Sequence, residues 1–353
     1  MINLTLSTYN LLSQLQDTFT IDQLTDNATV SVIINNEDVY STTLAQHNGM
    51  VKFYGLCDII ARHMENLELP TPAVSFKVRA ISGNTTLQTD EVYVIYDSYK
   101  PANTTAKDFI DAHFLTSRSY IEVPRSAPCV IYMMVTQSGF TPFIEALFKR
   151  DGEMATVRVT LEQITAQAPF IVSLDIAPNT VKQLADQQQD TDCGTIISYS
   201  IYAGERRMSV FVRKENPEII FNFRNAFNVT EQAYIYGSSK LITAIERKEA
   251  VCMKRKTFYD ESVTRKHEVT TEALSLETAN WLNELFISKI ITTKVGDNLE
   301  AVVLISDITS EISDSQKDVN RHKFSWEFDD NAQWIHTGNQ DRIFTQQYLP
   351  VFK

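Results

Sequence analysis

The sequence is poor in the residues that most catalytic frameworks need at close spacing. It holds ten glycines in 353 residues, and the nearest two, Gly49 and Gly55, are six positions apart and followed by Leu56. Loops that cradle phosphate need clustered glycines so that backbone N–H groups can approach the anion. The P-loop and the dinucleotide fingerprint are therefore both excluded. Six histidines are scattered along the chain. The step His267-Glu268 continues as Val269-Thr270-Thr271 and so lacks the second histidine of a zinc protease. Four cysteines, Cys57, Cys129, Cys193 and Cys252, form no C-x-x-C pair and are read as small buried hydrophobes with free thiols.

Long apolar runs are missing too. No window reaches the ~18 consecutive apolar residues of a membrane helix, so no membrane span is expected. MINLTLSTYN carries no basic leader or apolar stretch, which makes a cytoplasmic site of synthesis and assembly the expectation. The five Asn-x-Ser/Thr triplets, at Asn3, Asn27, Asn84, Asn103 and Asn228, then carry no weight. Positive charge is in deficit, with 32 Lys and Arg against 44 Asp and Glu and a net charge of −12. A nucleic-acid binder needs the opposite field to displace counterions from phosphate, so nucleic acid is not an expected partner. The local exception is Lys254, Arg255 and Lys256 with Arg265 and Lys266. It reads as a solvated strand face able to touch a phosphate or an acidic neighbour.

What the chain does have is strand patterning. Its length exceeds that at which single cores stop growing, and period-two alternation recurs throughout. Ala28, Val30, Val32 and Ile34 share one parity, as do Val74, Phe76, Val78 and Ala80. The expected fold is mainly β: two or three β-sandwich-like modules with a few short helices. Residues 1–97 read as an immunoglobulin-like module, with one helix marked by the stripe Leu56, Ile59, Ile60, His63 and Met64. Residues 98–108 read as a linker. Residues 109–216 form a second β module in which 181–186, running into QQQDTD, is an exposed polar excursion. Residues 217–353 form a C-terminal β-rich domain with a helix at 275–287, N-capped by Ser275. In that domain LEAVVLIS is apolar on both faces and should be central. His322, Phe324, Trp326 and Phe328 line one face of a closing strand.

Candidate chemistry is thin. Gly237-Ser238-Ser239-Lys240 lacks the second glycine of a nucleophile elbow. Glu327, Asp329 and Asp330 resemble the start of the catalytic strand of one class of β-sandwich glycoside hydrolases, but Ala332 stands where that chemistry needs its second cooperating carboxyl. Asp307, Asp314 and Asp318 lack the D-x-D-x-D-G run that organises calcium and read as a solvated loop. His63, on the helix stripe, reads as a partly buried packing residue. No catalytic residue, cofactor or metal is expected. Trp281, Trp326 and Trp334 are the aromatics able either to pack or to stack on a sugar, with packing favoured by their amphipathic spacing.

Three stretches carry a family resemblance: MVKFYGLCDIIARHM at 50–64, FNFRNAFNVTEQAYIYG at 221–237 and HKFSWEFDDNAQW at 322–334. Together they resemble virion structural proteins of tailed phages and prophages of gut Bacteroidetes, of the distal-tail or baseplate kind. The resemblance implies a non-enzymatic virion subunit, assembled in a host cytoplasm, that contacts copies of itself in rings and other tail proteins. The polar segments 97–108 and 183–192 would reach toward neighbours. The alternative from the residues alone is a carbohydrate- or receptor-binding β-sandwich module, with a glycoside hydrolase as a third class.

Overall fold

A computed structural model describes residues 1–98, 104–136, 139–165, 170–252, 255–295, 299–315 and 318–329. With 53% of residues in strands and 15% in helices, the chain is mainly β and built of sandwich-like layers. Its contacts divide it into two compact units, residues 1–216 with 223–232, and residues 217–222 with 233–353.

The first unit begins with β1 (Ile2–Asn3), β2 (Tyr9–Leu11), β3 (Phe19–Ile21), β4 (Ala28–Ile34), β5 (Glu37–Leu44) and β6 (Val51–Phe53). Helix α1 (Leu56–Asn66) follows, then β7 (Ala73–Ser82), β8 (Thr85–Gln88) and β9 (Val92–Ile95). One sheet runs β2-β9-β7-β4-β5, with β8 on β7, and a smaller one runs β1-β3-β6. The alternating side chains of β4 and β7, Phe19 and Phe53 of the smaller sheet, and Leu56, Ile60 and Met64 of α1 join in one buried cluster. Helix α1 starts at Gly55, whose φ of 81° suits a residue without Cβ. It has no capping side chain of its own. Asp17 supplies the cap from a distance, accepting from the backbone of Leu56 and, through its carboxylate, from that of Cys57 at 2.9 Å.

The unit continues through α2 (Ala106–Ala112), β10 (Tyr120–Pro124), β11 (Val130–Val135), β12 (Phe143–Arg150), β13 (Glu153–Thr160), β14 (Phe170–Asp175), α3 (Pro178–Gln189), β15 (Thr195–Ala203) and β16 (Arg206–Arg213). Five strands form a sheet in the order β10-β16-β15-β12-β13, and β11 pairs with β14. The expected linker at 98–108 is partly helix: α2 opens at Ala106 on a Thr105 cap, while residues 99–103 lie outside the described residues. Nor does that stretch separate two compact bodies. Leu11 and Ile95 of the first sheet share a buried cluster with Phe109, Ile110, Met134 and Phe227, so residues 1–97 and 109–216 belong to one unit. The segment expected to be an exposed excursion also docks on its own chain. Val181 and Ala185 of α3 are fully buried, and the Gln188 amide both accepts from and donates to the Thr160 backbone.

Two buried polar knots stiffen this unit. Arg206, 4% exposed, donates to the carbonyls of Met134 at 2.7 Å, His113 at 3.1 Å, Ala203 at 3.2 Å and Ile110. The carboxylate of Glu231 accepts from Asn225 at 2.7 Å and Thr116 at 2.9 Å and lies 2.7 Å from Arg118. Burial of such charges is tolerable only because each is paired or hydrogen-bonded.

The second unit comprises β17 (Ile219–Arg224) and β18 (Thr230–Ile235), whose facing ends are counted with the first unit, then β19 (Gly237–Cys252), β20 (Arg255–Thr271), α4 (Leu276–Ile287), β21 (Ile291–Val295), β22 (Leu299–Glu311) and β23 (Arg321–Phe328). Its sheet runs β18-β17-β21-β22-β23-β20-β19. Ser275 caps α4 by accepting from Thr278 N–H at 3.0 Å. No helix among the described residues is long and apolar enough to cross a membrane.

Candidate functional site

The buried face of the second unit is built around β23. His322, Phe324 and Trp326 are 0%, 2% and 6% exposed. Trp326 stacks on His267 of β20 at 4.1 Å between ring centroids and meets Phe221 and Phe328 edge-on. Phe286 of α4 closes over His322 and Phe324. His322 lies 2.9 Å from the Ala279 carbonyl through Nε2 and 2.9 Å from the Ser310 hydroxyl through Nδ1. The carbonyl can only accept, so Nε2 carries the proton, and Nδ1 accepts from Ser310 in a neutral ring. Burial lowers the His322 pKa, in the direction of the neutral ring. Trp281 is buried as well, at 5% exposure. Trp334 lies outside the described residues. Neither described tryptophan presents a face on which a sugar could stack.

The acidic candidates are not brought together as a catalytic pair. Glu327 points to the face opposite Trp326, in register with Leu304, and Asp329 is exposed just past the strand end. Asp330 lies outside the described residues. Asp307 is not in a loop: it sits at a break in the β22–β23 register with φ of 52° and forms an ion pair with Lys266. Asp318 accepts from the Ser313 hydroxyl at 2.8 Å. Among the described residues no group of three or more His, Cys, Asp or Glu side chains could hold a metal ion. Cys57, Cys129 and Cys193 are free thiols. Burial and the neighbouring Asp17 push the Cys57 thiol up to about 12, which removes it as a nucleophile. His63 is half-buried.

Two surface features stand out instead. The first is the β19–β20 hairpin, 16 and 17 residues long. β20 pairs with β23 only from His267 to Thr270. Outward of that, from the Ile242–Lys266 pair to the Cys252–Arg255 pair, the two strands pair with each other alone among the described residues. At ~3.3 Å per residue this is a ribbon of about 35 Å. Every residue from Gly237 to Glu249 is exposed. Leu241, Ile245, Val251 and Phe258, between 47% and 70% exposed, share one face of it. Through the Leu241–His267 pair, that face is continuous with the face bearing Trp326. β22 adds to the surplus. It is central, as expected, but only one of its faces is covered: Val303 is buried while Val302 and Leu304 are 48% and 49% exposed. The reading of LEAVVLIS as buried on both sides is thus corrected.

The second feature is an open depression of about 810 Å³ at one end of the five-stranded sheet of the first unit. Arg125 follows β10, Lys214 follows β16, Thr195 opens β15 and Lys149 lies near the end of β12, so adjacent strand ends deliver all four. Three cations, Arg125, Lys149 and Lys214, meet there with one acid, Asp151, and no aromatic ring lines the walls. Such a surface selects for negative charge rather than for stacking.

No family model matches the chain, and no curated protein matches it. Among solved structures, two crystal forms of the plexin A4 extracellular region align with 92% of the chain at 10% identity and a TM-score of 0.22. The chain spans 39% and 31% of those proteins. At that score the likeness carries no argument about fold or function.

Proposed function

We propose that this protein is a structural subunit of a phage tail or related virion assembly, of distal-tail or baseplate type, acting through protein–protein contacts and without enzymatic activity. The observation that supports the reading best is the β19–β20 ribbon. An isolated two-stranded hairpin is at best marginally stable in water, and an exposed strand edge with an apolar face is a template for pairing. A protein that keeps such a ribbon has a use for it in an assembly. The phage-tail identity rests on the resemblance of residues 50–64, 221–237 and 322–334. In this reading the chain is virion-located, assembled in a host cytoplasm and arranged in rings. The test is mass spectrometry and electron microscopy of particles induced from a lysogen carrying the gene. Stoichiometric copies in the tail are expected. Absence from every purified particle refutes the assignment.

A second reading, a receptor- or glycan-binding module, is favoured by the depression lined by Arg125, Lys149 and Lys214. Its ligand would be acidic. Binding of sulfated or uronate-rich glycans that is lost in Lys149→Glu with Lys214→Glu would favour it over the assembly role.

A further inference from the structure

Charge is not spread evenly along this chain. The sequence from 240 to 266, whose described residues form the ribbon, holds eight lysines and arginines against four acids, an excess of four positive charges. The first unit holds 17 lysines and arginines against 25 acids, an excess of eight negative charges. A basic ribbon whose one face mixes exposed Leu241, Ile245, Val251 and Phe258 with Arg247, Glu249, Lys256 and Arg265, and an acidic compact unit, therefore exist in every copy. The segment that runs against the charge of the whole chain is also the segment whose strands find no outside partner among the described residues.

We infer that the β19–β20 ribbon of one copy docks on the acidic first unit of a second copy, in a heterologous contact that repeats from chain to chain. The inference rests on the assembly reading and names its partner. Opposite net charges steer encounter and fix orientation, while the face bearing Leu241, Ile245, Val251 and Phe258 supplies apolar area that only a covering surface can remove from water. A contact between two different surfaces of one chain leaves each copy with a free donor and a free acceptor. It closes into a ring when the rotation permits and otherwise continues as a filament. Ribbon-to-ribbon pairing would instead bring like charges together, which disfavours a two-fold dimer through this element.

Shortening the ribbon tests this without disturbing the body. Residues 243–265 are replaced by Asn-Gly, a two-residue hairpin turn, leaving the pairs from Gly237–Thr271 to Ile242–Lys266 and the β20–β23 ladder in place. A second variant, Lys240→Glu with Lys248→Glu and Lys256→Glu, keeps the ribbon and reverses its charge. Light scattering at micromolar concentration should give oligomers for the natural chain and monomers for both variants, with melting temperatures within a few degrees. Raising salt from 0.05 to 0.5 M should weaken association of the natural chain at least tenfold, because screening shortens the reach of exposed charges. Cross-linking of mixed isotope-labelled copies should join Lys248 or Lys256 of one copy to lysines of the first unit of another. Oligomers that persist in both variants overturn this inference and leave the assembly reading intact. A natural chain that stays monomeric at high concentration and low salt also overturns it. Oligomers lost on deleting residues 330–353 but kept in both ribbon variants would overturn it in favour of the carboxy-terminal segment as the occupant.

Discussion

Replacing Trp326 by alanine decides whether the aromatic face of the second unit is core or recognition surface. The indole is 6% exposed, stacked on His267 at 4.1 Å and held edge-on by Phe221 and Phe328, on a strand flanked by β20 and β22. Truncating a buried Trp or Phe ring costs about 3–5 kcal/mol in lost transfer energy and residual cavity. One feature pulls the value toward the lower end: Trp326 Nε1 finds no acceptor among the described residues. The substitution therefore also removes a buried N–H whose desolvation costs about 1–3 kcal/mol. We expect about 3 kcal/mol for Trp326→Ala. Trp326→Phe keeps a ring against His267 and drops the unpaired N–H, so its cost should be about 1–2 kcal/mol. Urea denaturation followed by far-ultraviolet circular dichroism reads both, the midpoint moving and the slope holding. An unchanged midpoint for Trp326→Ala would refute the packing argument. Coupled with loss of glycan binding, it would replace the assembly reading by the receptor-binding one.

Arg206→Met should cost about 3 kcal/mol or more, since it orphans buried carbonyls at Ile110, His113, Met134 and Ala203; a loss below about 1 kcal/mol by the same denaturation assay would mean that water takes over the role. Burial raises the Asp97 carboxyl to about 6, against the hydrogen bonds from Ser13 that favour its ionised form. The folded state then holds this proton more tightly than the unfolded chain. Stability should fall as pH rises from about 4 to about 6 and be flat in this term above that. Asp97→Asn should remove that slope, and a melting curve with the same slope in the variant would assign it elsewhere. Ser275→Ala should lower stability by about 1 kcal/mol through loss of the α4 cap, read as a shift in melting temperature, and Ser275→Asp should restore most of it.

The strands were legible because their pattern is local. Alternation in 28–34 and 74–80 reports a covered face whichever sheet covers it, and the 56–64 stripe and the Ser275 cap report helices from their own residues. The joining of residues 1–97 with 109–216 was not legible, because it depends on which apolar faces meet. Nothing in the sequence of Leu11 or Ile95 says that each packs with Phe109 and Phe227. Arg206 was not legible for a related reason. Arg206 stands in a strand as an arginine like any other, and only the convergence of three carbonyls from distant segments, with that of nearby Ala203, makes it an interior residue.

The ribbon was the hardest element to see and the one on which the proposed function rests. Its sequence alternates less cleanly than the core strands, and the basic cluster at 254–256 with Arg265 and Lys266 reads locally as a solvated face. Of that cluster, Lys256 is exposed and, among the described residues, paired with Glu249 at 3.2 Å. An exposed ion pair of this kind contributes little to stability. That pair therefore has little to do for the fold of its own copy. The same holds for Leu241, Ile245 and Val251, whose exposure gains nothing for the chain alone. Sequence patterning reports burial within one copy, because the alternation it detects is enforced by a core. A surface that is buried only against another copy carries the composition of a surface and the hydrophobicity of a core. On this ribbon the two are mixed, which is the composition that the proposed contact with a second copy requires.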